Sequence, residues 1–509
     1  MDSRDRNPLT HRDSGEKSGP RGGESARPHE TERSRESRCT MSTTMTPRKR
    51  HTIGRTLTLG FGITSAMWAL GYLAMMGPGL VIGEILFVLT LLCLIAGGLI
   101  VGRISRSMGE ALRTAVWVGA LSATLNLLII GSLIGGETTG ERLASFGYWT
   151  LGAYIISIAL CLLGAGAGFA WLNQPDKVGT DRDWFHRFAC VAAFTVFLLL
   201  VTGGIVTGFE AGLAVPDWPN SFGHNMLLYP LSEMVGGVFY EHAHRLYGML
   251  VGVTTMALAA ALFFLDPKQR GWLRALGIIV LIMVCVQGLL GGLRVTGHLT
   301  FDSDPGVMNP NTHLAVVHGV FGQVVFAAII AIAALTSPLW VSDRQPKRTL
   351  SAGSDHSMSI ALIVLLVLQL ALGALYRHFR RDAGDAMSGL EIMYVHIFLA
   401  FIVAGVAVFV GGRAASINKD QPILPGLGKA MMILIGIQIL LGFTALVAAL
   451  HRGSSEAIPI TEVIFTSLHQ STGAAILGLA TLIAVWNRRL LAEPVGEGVP
   501  QAQSTESIA

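Results

Sequence analysis

Charged residues are scarce in this chain, at 14% of 509 residues, where a water-soluble protein carries about 25%. That scarcity excludes an ordinary soluble globular class. Cysteine is sparse as well. Cys39, Cys93, Cys161, Cys190 and Cys285 are far apart in sequence, which excludes a disulfide framework or a zinc site built on close pairs. Small apolar packing is the role expected of them. The net charge is only +4, and aromatic residues are not interleaved with the basic runs, so no nucleic-acid partner is expected. Residues 1–50 lack the apolar centre of a secretory signal peptide. They read as a disordered cytoplasmic tail, as do residues 489–509.

Apolar residues make up 51% of the chain, and there are 60 glycines, as expected where membrane helices pack closely on small residues. A bilayer span needs about 20 consecutive apolar residues. Twelve stretches qualify, near 53–76, 79–102, 113–134, 145–172, 187–208, 243–265, 272–296, 313–336, 357–378, 391–411, 428–450 and 462–486. The expected fold class is an all-α polytopic membrane protein of about twelve transmembrane helices. Basic residues alternate between its loops. One set clusters at 48–50, 103–113, 177–187, 268–274, 344–348, 413–429 and 488–489; the other holds Arg142, Arg377, Arg380, Arg381 and Arg452. Positive loops stay inside, so both termini are expected in the cytoplasm and the long loop 209–240 outside.

Four histidines repeat. His244 and His318 are 74 residues apart, His396 and His469 are 73 apart, and the two pairs are offset by 152 and 151. Gln287–Gly291 and Gln438–Gly442 share the same 151-residue offset, Gln369–Gly373 is a third version, and Gly203-Gly204 looks like a fourth. The glutamine elements lie on spans five, seven, nine and eleven, and the histidines on six, eight, ten and twelve. This is a duplicated helical unit, read as two tandem pseudosymmetric four-helix bundles. The expected organisation is a four-span region of unassigned role (51–172), a linker (173–186), a first bundle (187–340), a cytoplasmic linker (341–356) and a second bundle (357–488). Paired histidines from different membrane helices suit the two axial positions of a b-type heme iron, which points to two heme sites near the outer ends of the helices. Helix packing is the role expected of the glutamines.

Glu241 and His244 are three residues apart, hence on one helix face; the matching position in the second half is Met393. The first half therefore keeps a carboxylate beside its histidine and suits a reaction, whereas the second suits electron transfer. A simpler role for Glu241 is favourable interaction with the helix N-terminus. Arg245, Arg294 and Arg377 stand near the outer surface, where pairing with heme propionates and snorkelling are both open. His242 and His313 read as outer-edge polar residues, and His224, His298, His378 and His451 as solvated. The Pro- and Gly-rich segment Glu210–Gly223 would cap the outer mouth of the first bundle.

Gly212–Gly223 (GLAVPDWPNSFG), Glu241–Arg245 (EHAHR), Gln287–Gly292 (QGLLGG), His318-Gly319 and His469-Gln470 resemble the heme A synthase family of cytochrome oxidase assembly. The resemblance spans 187–486 and leaves out the first four spans. It implies an oxidoreductase that converts the C8 methyl of heme O to a formyl group, giving heme A for cytochrome oxidase. It implies that His244 and His318 hold the substrate heme beside an essential carboxylate, Glu241, and that His396 and His469 ligate the iron of a resident heme b. The implied partners are heme O and heme A, membrane lipid, an electron donor of unknown identity, and heme O synthase or cytochrome oxidase subunits. The implied location is a bacterial-type cell (inner) membrane, with the heme sites toward the outer side. Some relatives carry a cysteine pair where this chain has Val215 and Ser221, and span ten lacks an Arg after its histidine. A di-heme b electron-transfer protein without heme-modifying activity, and a twelve-span transporter, are the competing readings.

Overall fold

Twelve helices follow one another in the computed structural model, which describes residues 47–494 apart from 78, 132–138, 176–180, 267, 269, 298–310, 380–385 and 453–456. They are α1 (Pro47–Met75), α2 (Leu80–Ile104), α3 (Met108–Ile130), α4 (Thr139–Leu172), α5 (Asp181–Gly208), α6 (Gly237–Phe264), α7 (Gly271–Thr296), α8 (Thr312–Thr336), α9 (Ala352–Phe379), α10 (Ala386–Gly412), α11 (Leu424–Arg452) and α12 (Ile460–Leu490). Each contains a segment long and apolar enough to cross a membrane. A helix satisfies its own backbone hydrogen bonds, which lipid cannot do, and twelve such helices make an all-α polytopic membrane protein. Most of the tail 1–50, residues 495–509, the middle of the 173–186 linker, His298, Arg380 and Arg381 lie outside the described residues.

Local signals set several helix ends. Ser107 caps α3 by accepting from the Glu110 amide at 3.2 Å, and Asn311 caps α8 by accepting from Leu314 N at 2.9 Å, each satisfying an otherwise orphaned donor. Gly297, in the left-handed region (φ 69°), ends α7. A five-residue π-helical turn, Arg413–Ile417, closes α10.

Helices α5 to α8 close on one another as a four-helix ring, as do α9 to α12, and the rings meet where α5 and α8 pack on α12 and α8 on α9. The first four helices do not stand apart. Trp68 and Tyr72 of α1 pack edge-on against Tyr247 of α6, Tyr72 stacks on Phe239, and Phe61 meets Phe188 of α5. One buried apolar cluster thus joins α1 and α3 to α5, α6, α7 and α8. Within the leading region α2 and α4 interlock through two small-residue motifs. A Cβ on Gly98 or Gly102 would lie 2.2 or 2.1 Å from a carbonyl of α4, and one on Gly164 or Gly168 would lie 2.1 or 2.3 Å from a carbonyl of α2. This is the close backbone approach that GxxxG spacing permits.

At the end away from loop 209–236, Arg489 donates to Trp340 O, Ser342 O and Arg344 O at 2.9, 2.6 and 2.8 Å. Beside it a short parallel ladder pairs Lys347-Arg348 with Leu491-Ala492. The inter-bundle linker is therefore tied to the end of α12.

Gly164→Leu is expected to force α2 from α4 and cost about 2 kcal/mol of stability, the scale of core overpacking. Thermal unfolding in detergent reads this directly; an unaltered melting temperature would show that the two backbones do not touch.

Candidate functional site

All four repeat histidines project into the two rings of helices. The His244 and His318 ring centres are 6.4 Å apart with planes at 79°, and those of His396 and His469 are also 6.4 Å apart, at 72°. Two imidazoles sharing one metal ion, at about 2 Å per nitrogen–metal bond and about 1 Å from nitrogen to ring centre, have centres roughly 6 Å apart. Each pair therefore fits one iron held by one nitrogen from each side. Among the described residues no group of three or more His, Cys, Asp or Glu converges on a metal position, and a heme iron needs only two protein ligands.

A glycine of the preceding helix lies against each ring. A Cβ at Gly203, Gly291, Gly373 or Gly442 would stand 3.0, 3.0, 3.0 or 2.9 Å from Cε1 of His244, His318, His396 or His469. One turn earlier on three of those helices a glutamine reaches the same histidine. Gln287 Nε2 is 3.1 Å from His318 Nδ1 and donates to its carbonyl at 2.8 Å; Gln369 Nε2 is 3.2 Å from His396 Nε2 and donates to its carbonyl at 2.9 Å; Gln438 Nε2 is 3.5 Å from His469 Nε2. The expectation that these glutamines only pack helices is corrected: they contact the histidines and orient them, as outer partners of metal-binding imidazoles do. The Oε1 atoms of all three are buried without a partner. In Gln287 and Gln369 the bond to the backbone carbonyl fixes the amide with its Nε2 toward the histidine. In α5 the glutamine position is Leu199, and Thr202 Oγ1 instead sits 3.1 Å from His244 Nδ1.

Glu241 stands about one helical turn before His244, and the matching position in the second bundle is Met393. Glu241 is 3% exposed. Its Oε1 accepts from Arg245 Nη2 at 2.8 Å and its Oε2 from the Val215 amide at 2.9 Å. Arg245 also donates to Val215 O, Asp217 O and Asn220 O at 2.8, 2.7 and 3.0 Å. The guanidinium therefore fastens the loop between α5 and α6 to α6. Within that loop Asp217 accepts from the amides of Phe222 and Gly223 at 2.7 and 2.8 Å. Burial acts to raise the Asp217 pKa, but these two amides and the Arg245 charge outweigh it and hold the carboxyl below its usual range. Phe222 and Gly223, both at positive φ (51° and 77°), form the two-residue turn between Asn220-Ser221 and His224-Asn225. Trp218 lies on Gly292, where a Cβ would be 2.3 Å from its ring. That contact explains the second glycine of the Gln287–Gly292 element; the matching second-bundle positions are Ala374 and Phe443.

The other basic residues separate by role. Arg294 is half-buried and makes no hydrogen bond or ion pair among the described residues. It lies against Gly212 and within electrostatic reach of Glu241, His244 and His318. Arg377 instead donates to Thr207 O and Gly208 O at 2.8 and 3.2 Å, at the end of α5. His242 is fully buried, with Nδ1 3.1 Å from Ser221 Oγ, and is no outer-edge residue. His378 is half-buried rather than solvated, and lies near Arg294, Arg377 and His318. His224 and His451 are exposed, as expected. His313 is exposed too, its ring 5.0 Å from that of Phe379.

Residues 186–387 match the family model described as cytochrome oxidase assembly protein. Among similar proteins, a heme A synthase of Hyphomonas neptunium is 24% identical over 264 residues, covering 46% of this chain and 70% of the relative. One of Rhizorhabdus wittichii is 21% identical over 364 residues, covering 61% of this chain and 96% of the relative. A protoheme IX farnesyltransferase of Haloarcula marismortui is 29% identical over 143 residues, 28% of either chain. The resemblance to the heme A synthase family read from the sequence is borne out by these matches. The family match begins inside α5, and the first four helices lie outside it.

Gly442→Leu is expected to push the His469 ring out of line, abolishing heme binding at the second pair while leaving the first intact. Heme counted per protein chain by pyridine hemochrome would fall by about half where both pairs are filled, each ligand pair holding one iron. Full heme content in this variant would refute ligation by His469. Separately, Arg245→Gln is expected to release the loop between α5 and α6, raising hydrogen exchange at the Phe222 and Gly223 amides roughly tenfold or more; unchanged protection would show that the loop holds itself.

Proposed function

We propose that this chain is a heme A synthase, a membrane oxidoreductase that converts the C8 methyl of heme O to the formyl group of heme A. One observation carries the reading. Two histidine pairs share the same 6.4 Å spacing, yet the position that holds buried Glu241 in the first bundle is Met393 in the second, and Arg294, unpaired among the described residues, and the covering loop belong to the first pair. Equal ligation with unequal surroundings divides the labour: a reaction in the first bundle, electron transfer in the second. The matches to heme A synthases support the same reading.

In this proposal His244 and His318 hold heme O, and His396 and His469 hold heme b. When bound, the iron supplies the redox chemistry, and the chain supplies orientation and electrostatics. Arg294, with no ion-pair partner among the described residues, would take a substrate propionate through a charge-assisted pair. Arg245 and Arg377, engaged with backbone carbonyls, would act by shaping the loop. The loop and Trp218 would exclude water from the reacting edge. With an external oxidant taking two electrons at each of two steps and water supplying the oxygen, the methyl would pass through a hydroxymethyl group to a geminal diol, which loses water to give the aldehyde, four protons being released in all. Glu241, its carboxylate fixed between Arg245 and the Val215 amide, would accept protons released there or stabilise positive charge that develops beside it. The loop end would face outward, with both termini in the cytoplasm of a cell of bacterial type. The similarity to a protoheme IX farnesyltransferase supports a heme O-producing enzyme as a partner, since both hemes are apolar and transfer through water is costly.

The test is expression with a heme O source in a host that makes no heme A, followed by extraction and identification of the hemes. Heme A is expected, and Glu241→Ala should abolish it while heme remains bound. A red protein that yields only heme b and heme O would instead identify a di-heme electron carrier. Heme A formed at full rate by Glu241→Ala would remove the carboxylate from the mechanism.

A further inference from the structure

The last turn of α5 closes in a Schellman arrangement. Ala211 N donates to Val206 O at 2.9 Å and Glu210 N to Thr207 O at 3.1 Å. The residue between, Glu210, is left-handed (φ 55°). Glycine normally fills that position because a Cβ is strained there. A glutamate held in it calls for something that the side chain does. Its carboxylate meets two arginines of the other bundle: Arg452 Nη1 at 3.0 Å and Arg377 Nη2 at 3.6 Å. Arg377 also caps the exposed carbonyls of Thr207 and Gly208. Both arginines reach a fourth group, Glu462, which is fully buried, at 3.5 and 3.7 Å. Among the described residues the cluster sets two carboxylates against two guanidiniums, so each charge has an opposite one beside it.

Glu210 begins a six-residue strap that ends on the first site. Gly212 passes under Arg294, where a Cβ would stand 2.6 Å from Nη2. Ala214 N donates to Ala211 O at 3.0 Å, and Ala211 and Ala214 rest on Gly237 at the start of α6. Val215 then gives its amide to Glu241 Oε2 at 2.9 Å. One end of the strap is thus anchored by α9 and α11 and the other carries a hydrogen bond to the carboxylate.

We infer that Glu210, gripped by Arg377 and Arg452, is a positioning residue for Glu241, through which the second bundle sets the carboxylate geometry of the first. The inference rests on the proposed role of Glu241, and gives the second bundle a mechanical task beyond electron supply.

Glu210→Gly tests it. Glycine suits the left-handed position, so the helix end keeps its turn, and Arg377 and Arg452 keep Glu462. The variant is expected to retain heme b at the second pair. The Val215 amide should exchange with solvent roughly tenfold faster once the strap slackens. Turnover of heme O should fall about tenfold or more with little change in KM, because misplacing a group that acts in the transition state lowers kcat. Glu210→Asp, which keeps the charge, should recover part of both effects, whereas Glu210→Gln should not. Unchanged Val215 exchange in Glu210→Gly overturns the inference whatever the protein's activity. Loss of heme b in both Glu210→Gly and Glu210→Gln also overturns it, in favour of a purely structural network. Failure of wild-type protein to form heme A, with Val215 exchange responding as expected, sinks the synthase reading and leaves the mechanical link standing.

Discussion

Each histidine ring lies against a glycine of the helix before it, and the geometry of both sites depends on that contact. An imidazole standing between two membrane helices needs room that any Cβ would take, and it needs a fixed direction. The glycine gives the room. The glutamine a turn earlier, or Thr202 in α5, gives the direction. Because the arrangement occurs four times on alternate helices, two facing copies bring two rings to the separation that one iron requires. The pseudosymmetry of the molecule is thus a packing rule repeated, and both pairs reach the same 6.4 Å.

What distinguishes the two halves is added around this shared frame. In the first, the loop between α5 and α6 folds back and offers backbone amides and carbonyls to Glu241, Arg245 and Asp217. Arg245 joins loop and helix with four hydrogen bonds from its two terminal nitrogens. The second glycine of α7 gives way to Trp218. In the second half the corresponding places hold Met393, Ala374 and Phe443, and the described contacts there show no counterpart of this covering. Buried polar groups need partners, and here most come from the loop backbone, which turns an irregular segment into part of the site.

Much of the frame could be read from residue order. Twelve apolar stretches became twelve helices because length and hydropathy are enough to specify a span. The histidine pairs were legible because duplication preserves spacing. Other features were not. The glutamines looked like packing residues, since nothing in a Q-x-x-L-G element shows which way the amide points. Spacing placed Glu241 with His244, but on the same helix its carboxylate pairs with Arg245, one residue further. Arg245 finds its remaining partners among carbonyl oxygens, which carry no side-chain signature. His378 was read as solvated because the neighbouring bundle that covers it is distant in sequence, and the burial of His242 was missed because the loop that covers it closes from the other side.

Helix α5 carries two adjacent glycines that face opposite ways. Gly203 abuts the His244 ring, and Gly204 abuts Gln470, whose Oε1 would lie 2.5 Å from an added Cβ and whose neighbour is His469. Helix α5 therefore touches the His244 ring on one side and, on the other, the glutamine that follows His469 on α12. Any lateral shift of α5 must be felt in both at once.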